Sequence, residues 1–146
     1  MAATILIVNG PNLNRLGLRE PHLYGTESLD DLNARIQTHA HSLSLHAEFF
    51  QSNHEGALID RLHGYGSAKG VVLNPGGLAH TSVSLRDAIA SIPIPVIEVH
   101  ISNIFAREPF RHASLVSGAC RGVISGLGTN GYLQAVNSLA HLILAS

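Results

Sequence analysis

Short apolar runs rich in β-branched residues alternate along this chain with stretches of helical spacing. The run at residues 4–8 (Thr-Ile-Leu-Ile-Val) has the length and composition of a buried strand. Ser28-Leu29-Asp30-Asp31 reads as an N-cap with an acid at the third helical position, and Leu29, Leu32, Ile36, Ala40 and Leu43 recur to give one apolar face. A second strand is predicted at 47–50, closing on Gln51-Ser52-Asn53, then a helix at about 55–65 with Leu58, Ile59 and Leu62 facing inward. A third apolar run, 70–73, ends in Asn74-Pro75-Gly76-Gly77. The helical pattern at 82–92 cannot pass Pro93 and Pro95. Strands at 96–99 and 122–125 follow, and a last helix is predicted over about 132–144.

Five strands alternating with helices argue for right-handed βαβ units: an α/β fold, a three-layer sandwich around a five-stranded parallel sheet of flavodoxin-like order 2-1-3-4-5. No linker, repeat or low-complexity segment interrupts the pattern, so a single domain over 1–146 is expected. In open sheets of this kind ligands sit beyond the carboxyl ends of the strands. That edge collects Asn9 and Asn12 after the first strand, Asn53 after the second, Asn74 after the third, and His100 and Ser102 after the fourth. Amides, an imidazole and a hydroxyl gathered there suit a small polyhydroxylated molecule.

The connection over 9–25 is long for an α/β unit and carries Arg15, Arg19 and Tyr24. A free tyrosine, with a pKa near 10, is only about one part in a thousand phenolate at pH 7. A cation within about 4–6 Å lowers an acid by roughly 1–3 units, so Arg19 beside Tyr24 would raise the phenolate fraction tenfold to a thousandfold. A loop that brings the two together makes a base out of a phenol.

Composition narrows the picture. Charged residues are 13 % of the chain and apolar ones 45 %, so a small monomer would expose much apolar surface; a homo-oligomer is expected. Net charge is −1 with no basic run, which leaves no footprint for nucleic acid. No apolar stretch is long enough for a bilayer, and the N-terminus lacks the start of a signal peptide. The single cysteine, Cys120, excludes an internal disulfide, fits a reducing cytoplasm and reads as a small core residue.

Other chemistries find little support. Ten histidines invite a metal, but His39 and His41 diverge on their helix and no His-Glu-x-x-His or paired-cysteine pattern exists. Lys69, the only lysine, lies at the foot of the third strand, away from the expected site, which disfavours Schiff-base chemistry. Gly-Leu-Gly-Thr-Asn-Gly at 126–131 matches a dinucleotide fingerprint, yet no acid follows Glu108. The alternative it leaves open is a nucleotide- or phosphate-binding module.

Taken together the motifs resemble type II 3-dehydroquinate dehydratase: Asn-Gly-Pro-Asn-Leu-Asn (9–14), Leu-Gly-x-Arg-Glu-Pro-x-x-Tyr-Gly (16–25), Gln-Ser-Asn-x-Glu-Gly (51–56), Asn-Pro-Gly (74–76), His-Thr-Ser (80–82), Leu-Arg-Asp-Ala (85–88), Glu-Val-His-Ile-Ser-Asn (98–103) and Ala-Arg-Glu-Pro-Phe-Arg (106–111). The resemblance implies a lyase that removes water from 3-dehydroquinate by anti elimination through an enolate, with neither metal nor cofactor, in the shikimate pathway of aromatic amino acid and chorismate biosynthesis or in quinate breakdown. It implies Tyr24 as the base held as phenolate by Arg19, Asn12 at the enolate oxygen, and His100 as the acid, oriented or tuned by Glu98. Asn74, His80, Asp87, Ile101, Ser102 and Arg111 would hold the carboxylate and ring hydroxyls. It further implies a dodecamer, a tetramer of trimers, with Asp87 reaching into a neighbour's site. Asn53 and Glu55 match the family and equally suit a helix cap. Leu78 and Ala79 replace the family's usual aromatic and threonine, which bears on packing around the substrate. Phe105 and residues 115–118 depart from its pattern, where oligomer contacts are expected to differ.

Overall fold

The computed structural model describes residues 2–18 and 20–145, with the backbone alone at 23 and 24. Strands β1 (Ala3–Asn9), β2 (Leu45–Gln51), β3 (Val71–Asn74), β4 (Val96–His100) and β5 (Gly122–Ser125) form one sheet of order β2-β1-β3-β4-β5, parallel at every pairing. Helices α1 (Pro21–Tyr24), α2 (Leu29–Ser42), α3 (Glu55–His63), α4 (Val83–Ser91) and α5 (Asn130–Leu144) connect them. This is the flavodoxin-like α/β sandwich that the alternation of patterns implied.

Successive strand residues point to opposite faces, so the sheet builds two cores. Ile5, Ile7, Val72, Ile97 and Val99 pack with Leu32 and Ile36 of α2 and Val136 and Leu139 of α5. Leu6, Val8, Val71, Leu73 and Val96 pack with Leu58 and Leu62 of α3 and Leu85 and Ile89 of α4. Burial of the central strands on both faces explains their unbroken apolar runs. The edge strands are mixed, with Val123 of β5 exposed.

Element ends depart from the expected ones by a few residues where caps decide. The Ser28 hydroxyl accepts from Asp31 N–H and the Asp31 carboxylate accepts from Ser28 N–H, a capping box that starts α2 as predicted. α3 closes at His63: Gly64 N–H makes the last helical bond, to Asp60 C=O, and the Arg61 side chain takes the Gly64 carbonyl. The connection over 9–25 is not without structure: a 3-10 turn at Leu13–Arg15 and α1 interrupt it, and Leu13 and Leu16 anchor it in the core.

Candidate functional site

The carboxyl ends of β1 and β3 are locked together. Asn9 and Asn74 face one another in register, and Gly10 N–H donates to the Asn74 carbonyl at 2.8 Å. The next residues pass so closely that a Cβ on Gly10 would lie 2.6 Å from the Pro75 carbonyl oxygen, and one on Gly76 2.9 Å from that of Pro11. Gly76 also has φ +59°, so the Asn-Gly-Pro and Asn-Pro-Gly motifs are two turns that need glycine to interlock.

Beneath them runs a buried chain of hydrogen bonds whose direction is set by a group that cannot flip. The backbone N–H of Gly76 donates to Asn74 Oδ1 at 3.1 Å, which fixes the amide. Asn74 Nδ2 therefore donates to the Tyr132 hydroxyl at 2.9 Å, and that hydroxyl donates onward to Asn9 Oδ1 at 2.5 Å. Tyr132 is wholly buried, and loss of solvent pushes its phenol well above the ordinary value, so it keeps its proton. The second N–H of Asn74 remains to serve the cavity that this residue lines.

On β4, Glu98 and His100 lie two residues apart and share a face. Glu98 is fully buried. Its Oε2 accepts from His100 Nε2 and from Ser114 Oγ at 3.0 Å, and its Oε1 accepts from Ser117 Oγ at 2.6 Å. Burial alone would push the carboxyl up; the donors from His100, Ser117 and Ser114 outweigh it and hold Glu98 below the usual carboxylate range. With Nε2 so engaged, Nδ1 is the ring nitrogen of His100 left for the cavity. His80 stacks on His100 with 6.2 Å between centroids. Its Nδ1 donates to the Ala113 carbonyl at 2.8 Å.

These groups open on a cavity of about 130 Å³ lined by Asn12, Asn74, His80, His100, Ile101, Ser102 and Arg111 among others. Seven residues predicted for the site thus meet at one place, with Glu98 behind His100. Three guanidinium groups, Arg15, Arg107 and Arg111, give the cavity a cationic wall suited to a carboxylate. Asn12 is held at φ 73°, its N–H donating to Asn53 Oδ1 at 2.9 Å. Asn53 accordingly does not cap α3, as one reading of the sequence had it; His54 stands at that N-cap, and Asn53 ties down the Asn12 loop instead. Glu55 takes the Ser82 hydroxyl at 2.5 Å, linking α3 to α4.

Asp87 is exposed on α4 and does not line this cavity. Arg19, and Tyr24 beyond its backbone, lie outside the described residues, so the pairing expected of them is not part of this geometry. Leu78 and Ala79 do not face the cavity: Ala79 is fully buried and Leu78 packs on the α3/α4 core, so their departure from the family pattern is a matter of packing under the site. The glycine turn at 126–131 also lies off the cavity. Two of its N–H groups are bonded to the end of β4, Gly126 to the His100 carbonyl at 3.2 Å and Gly128 to that of Ile101 at 3.0 Å, so the turn braces that strand end.

Sequence reasoning missed Arg107, Ser114, Ser117 and the role of Tyr132. Arg107 is nearly buried, donates to Ser102 Oγ at 3.2 Å and reaches Glu20 beside α1 at 3.7 Å, so it joins the β4 end to the long loop. The serines sit in a loop without periodicity, and only their shared reach to Glu98 marks them. Cys120 is half-buried, and burial together with the Glu98 charge pushes its thiol up to about 12, in keeping with a packing role. His39 bonds Asn137 and His41 stacks on His46, so the two diverge as expected. Among the described residues no group of three or more His, Cys, Asp or Glu is arranged to hold a metal ion, and no helix is long and apolar enough to cross a membrane.

A doubly wound sheet with a cationic cavity at its switch edge, backed by a buried carboxylate and histidine, defines a flavodoxin-like α/β protein whose strand-end cavity suits a small anion. Comparison with known proteins then narrows the class: residues 3–140 match Dehydroquinase class II, and the chain belongs to that family. It is 49 % identical over 140 residues to the 3-dehydroquinate dehydratase of Halothermothrix orenii, covering 95 % of each chain. It is 52 % identical over 141 residues to the catabolic 3-dehydroquinase of Aspergillus clavatus, covering 96 % of this chain and 94 % of that one. The crystal structure of type II dehydroquinase from Propionibacterium acnes superposes with a TM-score of 0.93 at 44 % identity, over 97 % of this chain and 98 % of the other.

Proposed function

We propose that this protein dehydrates 3-dehydroquinate to 3-dehydroshikimate by anti elimination through an enolate. Tyr24, held as phenolate by Arg19, takes the C2 proton. The electron pair moves onto the carbonyl oxygen, where Asn12 steadies the charge directly or through a water. His100 then gives its Nδ1 proton to the departing hydroxyl, which leaves as water. Arg111, Asn74, His80 and the Ile101–Ser102 segment hold the carboxylate and ring hydroxyls. The observation that carries this reading is His100 itself: an imidazole on a cavity wall with a buried carboxylate bonded to its far nitrogen, an arrangement that fixes the ring for an acid's role.

No step needs a metal, a cofactor or a lysine; the one lysine, Lys69, has its N–H bonded to Thr4 at the amino end of the sheet, opposite the cavity. Assembly as a dodecamer, a tetramer of trimers, with Asp87 serving a neighbouring site, is part of the same proposal. It is supported by exposed Val83, one turn before Asp87 on α4, and by exposed Phe105 and Phe110, chain neighbours of the cavity-lining Ile104 and Arg111. The reaction is the same in biosynthesis and in quinate breakdown; one relative is named simply a 3-dehydroquinate dehydratase and another a catabolic 3-dehydroquinase.

The test is the ultraviolet absorbance of the conjugated product when purified protein meets 3-dehydroquinate, with chelator present and after borohydride pretreatment with substrate. Absorbance that rises despite both treatments is the expected result. His100→Ala and Tyr24→Phe should each lower turnover by about 10²–10⁴-fold with little change in substrate binding. Unchanged turnover in either variant removes that residue from the mechanism.

A further inference from the structure

We propose that Ser114 and Ser117 are positioning residues for the acid step, their hydroxyls holding Glu98 as the anion against which His100 keeps its proton until the leaving group takes it. This rests on the reading of His100 as the acid. Glu98 and His100 share one proton, which has two places to reside. A fully buried site of low dielectric favours the neutral pair, with the proton on the carboxyl, because isolated charge is costly there. Glu98 in that state would leave a neutral imidazole, a poor acid. Hydrogen bonds donated to the carboxylate shift the balance the other way, since they are strongest when it is ionised.

Both hydroxyls donate to Glu98, and for Ser114 a second contact fixes that direction. Ser114 Oγ accepts the Ser117 backbone N–H at 3.2 Å, which turns its own proton toward Glu98 Oε2. Ser117 Oγ meets the other oxygen, Oε1, at 2.6 Å. Both carboxylate oxygens are thus supplied by donors alone. The loop that carries them is pinned on each side: Val116 is fully buried, Leu115 N–H bonds the Ala79 carbonyl at 2.6 Å, and the Leu115 carbonyl accepts from Arg86 of α4 at 2.8 Å. The other ionisable groups around the pair are His80 stacked on His100, Cys120 within the field of Glu98, and Arg107 and Arg111 on the cavity wall. In the elimination His100 Nδ1 loses its proton to the departing oxygen, which leaves as water. Glu98 stays an anion throughout, and the proton that Tyr24 collected returns to the imidazole through solvent.

The experiment compares the full-length protein with S114A, S117A, S117T and the S114A/S117A double variant. Turnover and KM for 3-dehydroquinate are measured, and infrared spectra of the resting enzymes are recorded at neutral pH. Expected for the double variant is a kcat lower by roughly tenfold or more with KM within about twofold. A carboxylic-acid carbonyl band should appear in it, be absent from the unsubstituted protein, and vanish when E98Q is added. S117T, which keeps a hydroxyl, should retain kcat where S117A loses it; this pair decides the matter if the double variant does not fold. A double variant with undiminished kcat and no band overturns the proposal, as does a loss that S117T shares with S117A. The two levels fail differently. Full turnover by His100→Ala would bring down the acid assignment and this inference together, whereas an inactive His100→Ala beside a fully active double variant would bring down the serines alone.

Discussion

Replacing Tyr132 by Phe removes one oxygen and with it two of the three hydrogen bonds in the buried chain. The phenol is wholly buried, gives its proton to Asn9 Oδ1 at 2.5 Å and accepts from Asn74 Nδ2 at 2.9 Å. Asn9 is 1 % exposed and Asn74 4 %, so water does not readily replace what is lost. Each buried polar group left without a partner costs about 1–3 kcal/mol, and the two together about 2–6 kcal/mol. For a chain of this size each kcal/mol lowers the melting temperature by roughly 3–4 °C, which predicts a fall of about 6–24 °C by calorimetry at matched protein concentration. The catalytic consequence is separate. Asn74 keeps its bond from Gly76 N–H but loses the partner that holds its Nδ2, so the amide that faces the cavity becomes less well oriented. KM for 3-dehydroquinate should rise about three- to tenfold while the pH dependence of kcat is unmoved, because the Glu98–His100 pair lies on a different strand. A variant that melts within about 2 °C of the parent with the same KM would refute the relay as a stabilising and orienting device.

Three further outcomes follow from the geometry. Glu98 is depressed in the folded state, so its contribution to stability is present above the unfolded carboxyl pKa of about 4.3 and is lost as pH falls through the lower folded value; Glu98→Gln should melt lower at neutral pH and lose less on acidification, as melting curves from pH 7 to 3 would reveal. Cys120, with its thiol pushed up to about 12, should resist iodoacetamide at pH 8 in the native protein and react readily in denaturant, and rapid native labelling read by mass spectrometry would contradict its burial. Gly126→Ala puts a Cβ 2.8 Å from that of Asn103 at a φ of +91°, so it should destabilise the protein and lower turnover by disturbing the strand end that carries His100, whereas tight nucleotide binding by the parent, lost in this variant, would restore the nucleotide-binding reading of the turn.

How far the sequence could be read depended on whether a position repeats a pattern or answers to one partner. Strand runs and helix faces repeat, and Ser28 with Asp31 marks an end by local chemistry, so the sheet order followed from periodicity and handedness alone. The strand-end residues were legible because a parallel sheet brings its carboxyl ends to one edge whatever the loops do. The short helix inside the 9–25 connection was not, since Pro21–Tyr24 is too brief to show a period. Asn53 was left with two readings for a related reason: an amide before a helix suits a cap on local grounds, and only the fold brings Asn12 N–H to it.

Glu98 shows why the site's supporting groups stayed hidden. A charged residue inside an apolar strand announces that something must pay for its burial, and its spacing of two from His100 puts the histidine on the same face. That much is visible in Val-Ile-Glu-Val-His. The hydroxyls that complete the arrangement come from 16 and 19 residues further on, in a loop where serine is ordinary and no spacing rule applies. Their loop is in turn held by Ala79 and Arg86, from the segment between β3 and β4 and from α4. The substitution at 79 and the unusual 115–118 segment, which read in the sequence as separate local departures, therefore meet at one hydrogen bond. Changes at either end are expected to be felt at His100 through Glu98, not at the substrate's hydroxyls.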